Sequence, residues 1–138
     1  MRPDLDVGRF LAPQSTAYPD ALAELQQGQK RTHWMWFIFT QLRGLGRSDT
    51  AWFYGIADLD EAKAYLAHPV LGERLHQISS LLLTLPQKDA GAVFGYTDAM
   101  KLRSSMTLFA LAEEGDNVFR QVLQEYFRGN LTRQHWNC

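Results

Sequence analysis

The sequence predicts an all-α fold, one compact domain of six or seven helices over residues 1–138, and three observations predict it. Leu71, Leu75, Ile78, Leu82 and Leu85 recur every three or four residues, which lines one face of a helix. Capping residues, prolines and glycines punctuate the chain in the order that starts and stops helices. No pair of alternating segments is visible that would let a strand find a partner. A chain of 138 residues can bury about two-thirds of its unfolded surface, enough for one core without disulfides.

The first element expected is a short helix from Val7 to Ala12, capped by Asp6 and closed by Pro13. A second begins at Pro19, buries Leu22 and Leu25, and stops at Gly28. The aromatic run Trp34 to Phe39 is apolar throughout, and among helical neighbours it reads as a short buried helix. Gly44 to Thr50 is a loop in which Ser48 or Asp49 caps a turn through Trp52 to Tyr54. Asp58 with Glu61 three residues on has capping-box spacing and starts a helix to His68. Pro69 opens the next, which runs Val70 to Leu85 and ends before Pro86. A turn is expected around Val93 and Phe94, then a helix from Asp98 to Glu113 capped by Thr97 and ended by Gly115. Asp116 or Asn117 caps the last helix, with Phe119, Val122, Leu123, Tyr126 and Phe127 on its apolar face and Gly129 as its stop. Residues 132–138 are a polar tail.

Composition excludes several function classes. Net charge is −1, so no broad positive field draws the chain to nucleic acid, and only Lys30-Arg31 and Lys101-Arg103 offer local basic groups. No run reaches 18 apolar residues, and the N-terminus has no apolar signal core, so the expected setting is cytoplasmic and not a membrane. His33, His68, His76 and His135 lack ligand spacing and the only cysteine is Cys138, so no metal is expected. No cofactor motif is present: Gly44-x-Gly46-Arg47-Ser48 has neither a preceding strand nor a third glycine, and reads as a turn or an anion nest.

Two segments carry candidate chemistry. Lys30, Arg31 and His33 place three donors ahead of the aromatic run, two of them cations suited to an anion and one an imidazole suited to proton transfer. Trp36 offers a stacking face, although aromatics in small domains usually belong to the core. On the helix from Asp98, Lys101 and Ser105 fall within about 60° of Asp98, with Ser104 alongside and Arg103 nearby. Apolar residues hem this stripe on both sides, so its groups are expected to be partly buried and paired. A Lys-Ser dyad would use Lys101 as base and Ser104 or Ser105 as nucleophile, yet the familiar Ser-x-x-Lys order runs the opposite way.

With KRTHWMWFIFTQLRGLG from Lys30, YGI at Tyr54, HPVLGERL from His68 and FGYTDAMKLRSSMTLF from Phe94, the chain resembles a known family. It is the uncharacterised bacterial and fungal family catalogued as domain of unknown function 1810, and the likeness covers about residues 4–131. The resemblance implies a compact, mainly helical domain and supplies no reaction or ligand. Some members are labelled calpastatin, which implies a disordered, repeat-built inhibitor; this capped, unrepeated chain does not fit that label. Thr40 stands where the family usually has proline, which predicts a less rigid turn, and the tail from Thr132 departs from the expected ending.

The expected function is therefore a cleft for an anionic, nucleotide-like small molecule. Lys30, Arg31, His33, Lys101 and Arg103 would supply charge, Trp36 stacking, and Asp98, Ser104 and Ser105 directed hydrogen bonds. A hydrolase or transferase using His33 with Ser105 or Asp98 is the enzymatic alternative, and a structural or partner-binding module the third. The first requires residues 30–36 and 98–105 to face one pocket.

Overall fold

The structure, a computed structural model, describes residues 6–86 and 88–127. Among them are a 3-10 turn, Val7–Phe10, and eight α-helices: α1 Leu11–Gln26, α2 Met35–Ile38, α3 Asp49–Phe53, α4 Leu59–Ala67, α5 Leu71–Thr84, α6 Ala90–Phe94, α7 Tyr96–Ala112 and α8 Val118–Phe127. The all-α expectation holds. Gly129, the tail and Cys138 lie outside the described residues. Among those described, no helix is long and apolar enough to cross a membrane.

The middle of the chain follows its capping chemistry. Ser48 Oγ accepts from Ala51 N at 3.0 Å and Asp58 Oδ1 from Glu61 N at 3.0 Å. Asn117 Oδ1 accepts from Arg120 N at 3.0 Å, settling the choice between Asp116 and Asn117. His68 Nδ1 accepts from Val70 N and Leu71 N, so an imidazole starts α5 and Pro69 sits in the corner before it. At Gly28, φ is +84°, with Gly28 N bonded to Leu25 O and Gln29 N to Glu24 O, the paired C-terminal stop that glycine permits.

Several boundaries differ from expectation, and Pro69 is one, since it precedes α5 instead of opening it. Pro13 does not close a helix; it falls in the first turn of α1, where its missing N–H would have had no helical acceptor. Pro19 lies inside α1, not at its start. The helix tolerates it because tertiary contacts hold both sides: Ala21 and Leu25 are buried, and Tyr18 Oη reaches Arg74 O at 2.9 Å and Gln77 Oε1 at 2.7 Å. Burial pushes the Tyr18 phenol up to about 12. Asp6 makes no side-chain cap, and Thr97 does not cap α7, because Gly95 at φ +82° turns the chain in one residue and α7 begins at Tyr96.

Helix α7 is the central strut, packed on α4, α6 and α8, with α2 against it and α5 between α1, α4 and α8. The core holds a column of rings, Phe10–Tyr65 at 5.1 Å, Tyr65–Phe109 at 5.3 Å and Phe109–Phe119 at 5.9 Å. A second group joins Trp34, Phe39 and Phe94 pairwise at 6.0–6.4 Å. Thr40, buried, donates its hydroxyl to Tyr54 O, a tether that proline could not make, so the turn after the aromatic run is fastened rather than loosened. One parallel bridge, Leu42 with Ile56, closes the same loop.

Arg9 and Glu61, 52 residues apart in sequence, form a buried pair. Arg9 Nη1 meets Glu61 Oε2 at 2.8 Å, and Arg9 also donates to Phe53 O and Gly55 O, each at 2.7 Å. Ala57 N gives Glu61 a further bond at 2.7 Å. Burial pushes the Glu61 carboxyl up, but the Arg9 and Ala57 donors and the arginine charges outweigh it, and the net direction is down.

Candidate functional site

The site is built on the stop of α1. Because Gly28 reverses the chain, residues 29–34 return across the helix end, and Glu24 on its last turns becomes their anchor. Its carboxylate accepts from Arg31 N at 2.7 Å, Thr32 N at 2.9 Å, Thr32 Oγ1, and Trp34 Nε1 at 3.0 Å. Desolvation opposes ionisation, yet the hydrogen bonds from Thr32, Arg31 and Trp34 prevail and hold Glu24 down to about 2. Lys30 N is pinned to Val93 O at 2.8 Å, which fastens the loop to α6.

So placed, Lys30 points at α7. Its Nζ lies 2.9 Å from Asp98 Oδ2, donates to Thr32 O, and stands 5.1 Å from the Trp34 ring centroid. Lys101 Nζ approaches the other carboxylate oxygen, Asp98 Oδ1, at 3.7 Å and stands 5.3 Å from the Trp36 ring. One carboxylate thus lies between two ammoniums, each against an indole. The Lys30 side chain is only 6% exposed and that of Lys101 27%, so Lys101 is the more accessible cation.

These residues line a cleft of about 80 Å³, with Lys30, His33, Trp34, Trp36, Asp98 and Lys101 in its walls. A space of about 10 Å³ adjoins it behind Trp36 and Lys101, bounded also by Thr40, Gln41 and Tyr54, and is the size of one water. A larger open groove of about 440 Å³ runs beside α8, past Leu83, Asp116, Arg120, Gln124 and Glu125. Its two carboxylates outnumber its one guanidinium, and Arg120 already donates to Gly115 O and Ala110 O. The cleft with spare positive charge is the smaller one.

Of the residues singled out from sequence, Lys30, His33, Trp36, Asp98 and Lys101 come together, while Arg31 lies exposed beside them. Arg103, Ser104 and Ser105 do not line the cleft. Arg103 is buried, and Ser105 is wholly buried with no hydrogen-bond partner for its Oγ among the described residues, so a substrate has no access to a Lys101–Ser105 dyad. Among the described residues, no hydrogen bond joins His33 to Asp98, Ser105 or Tyr54, which the enzymatic alternative needs. Ser48 Oγ accepts from Ala51 N as the cap of α3, and the glycine loop is not part of this cleft.

Glu24 was not visible as a site residue, since its partners depend on where Gly28 sends the chain. Replacing it by alanine is expected to leave the helices folded and free the loop. Amide exchange at Arg31 and Thr32 should quicken about tenfold, the scale of losing one hydrogen bond to a charged acceptor. Unchanged protection at both amides would show that Glu24 does not hold the loop.

The comparisons agree with this architecture. No curated protein matches the chain. The crystal structure of the conserved hypothetical protein Rv1873 from Mycobacterium tuberculosis is similar, with 42% identity and a TM-score of 0.88, covering 94% of this chain and 96% of that one. The family model described as protein of unknown function, DUF1810, matches residues 4–137, past Thr132 and through most of the tail. A match of that extent, with the resemblance of its four sequence blocks, shows that the chain belongs to the DUF1810 family.

Proposed function

We propose that the chain binds a small anionic molecule, nucleotide-like in carrying a planar body on a charged head, in the cleft between α2 and α7. The observation that carries this reading is the convergence of the Lys30 and Lys101 ammoniums on one cleft walled by Trp34 and Trp36. Ammoniums beside a half-buried space attract an anion more strongly than they would in water. At about 80 Å³ the cleft is well below the roughly 300 Å³ of a pocket that engulfs a drug-sized ligand. It therefore takes the charged head, and the body lies outside, against the half-buried Trp36. The reading carries a cytoplasmic setting, supported by the single cysteine and by metabolite anions being its ligands.

A thermal-shift screen of nucleotides, phosphorylated metabolites and organic acids tests it. A true ligand at 100 times its Kd should stabilise by roughly 2.7 kcal/mol. Lys101→Ala should weaken that ligand at least about tenfold, as expected for loss of a charge-assisted bond, while Arg120→Ala in the α8 groove leaves it unchanged. A flat screen, or equal losses from both variants, would refute the assignment.

A further inference from the structure

We infer that the head group this cleft accepts carries a single negative charge, a carboxylate or a phosphodiester, rather than a terminal phosphate. The inference rests on the anion-binding reading of the same cleft and narrows its ligand. Two ammoniums face it, and Asp98 contacts both, at 2.9 Å and 3.7 Å. Between the two lysines and the one aspartate, one positive charge is left over. The neighbouring Glu24 and Arg31 cancel each other. A monoanion brings the cluster to neutrality. A dianion would leave net negative charge in a half-buried space next to the Asp98 carboxylate, where repulsion is weakly screened.

Donor count points the same way. Lys30 already gives hydrogens to Asp98 and to Thr32 O, which leaves one. Lys101 is held only loosely by Asp98 and is the main free donor. Among the described residues, no arginine fork lines the cleft to grip three phosphate oxygens. A two-oxygen group, flat as a carboxylate or presented by a diester, matches what remains between the indoles.

The test uses ligands with one body and three heads, titrated calorimetrically at pH 8 into the full chain. They are phenylacetate, methyl phenyl phosphate, and phenyl phosphate, the last a dianion at this pH. The first two should bind at least about fivefold more tightly than phenyl phosphate, consistent with one unbalanced charge. Asp98→Asn raises the spare charge to two and should invert the order, with phenyl phosphate tightest. Lys101→Gln, at the more exposed lysine, removes the spare charge and should abolish binding of all three, so the idea does not depend on Asp98→Asn folding well. Wild-type preference for phenyl phosphate, equal binding of the three heads, or an unchanged order in a folded Asp98→Asn would each overturn the single-charge inference while leaving the anion site standing. No binding of any head by the wild type would remove both.

Discussion

Arg9→Ala is expected to destabilise the chain by about 3–5 kcal/mol, the usual result of stripping one partner from a buried ion pair. At roughly 3 °C per kcal/mol for a chain of this size, the melting temperature should fall by about 10 °C or more. The guanidinium joins three segments: from the turn before α1 it meets Glu61 on α4, and it caps the carbonyls of Phe53 and Gly55 at the C-terminal end of α3. Without it the Glu61 carboxylate is left buried with only the Ala57 N–H. Exchanging both partners together, Arg9→Met with Glu61→Leu, should recover much of the loss, because neither charge is then stranded. Urea denaturation measures both, and a single variant within about 1 kcal/mol of wild type would show the pair to be incidental.

The same pair sets an acid limit. Glu61 has its folded value depressed, so its contribution is fully present above the unfolded carboxyl value of about 4.3 and is lost as pH falls through the folded one. Glu24, held down to about 2, acts in the same direction. Stability should therefore decline from about pH 4.5 toward pH 2, and Arg9→Ala should flatten that decline.

Gly72→Ala should cost about 3 kcal/mol or more, at the top of the range for overpacking. Helix propensity alone gives the opposite sign, since alanine is favoured over glycine inside a helix by about 1 kcal/mol. Here a methyl group on Gly72 would lie 2.1 Å from Leu66 O and 2.9 Å from Leu66 C, both backbone atoms of α4. Rigid backbone cannot give way as a flexible side chain does, so the α4–α5 corner itself must open. Gly91→Ala is the control, its methyl meeting only Asp89 Oδ1 at 3.4 Å. Similar melting temperatures for the two variants would show that the corner is not tight.

Local chemistry was readable from the sequence, and long-range chemistry was not. Ser48, Asp58 and Gly28 act on backbone within a few residues, so spacing alone located them. Pro13 misled because the first-turn rule it obeys marks the start of a helix and not its end, and Pro19 because the local rule was overruled by anchors distant in sequence, among them the bond from Tyr18 to Arg74 of α5. The polar stripe of α7 was expected to be partly buried and paired, which holds for Asp98 and Lys101 but not for Ser105, wholly buried and, among the described residues, without a partner for its Oγ. A helical wheel reports direction and not depth, however. Asp98 and Ser105 share a face, but the cleft ends at Lys101 and Ser105 lies sealed further along the axis. Glu24 and Arg9 stayed hidden for a related reason, since each acts on residues that only the folded path brings near.

The ring column has a bearing on how the chain assembles. Phe10, Tyr65, Phe109 and Phe119 touch in sequence order, so the two outer rings come from opposite ends of the described chain. An N-terminal portion that stops short of Phe119 lacks part of the column. Phe10 and Tyr65 can meet early, but the rest of the column is supplied by Phe109 on α7 and Phe119 on α8, so completion of this part of the core falls to the last two helices described.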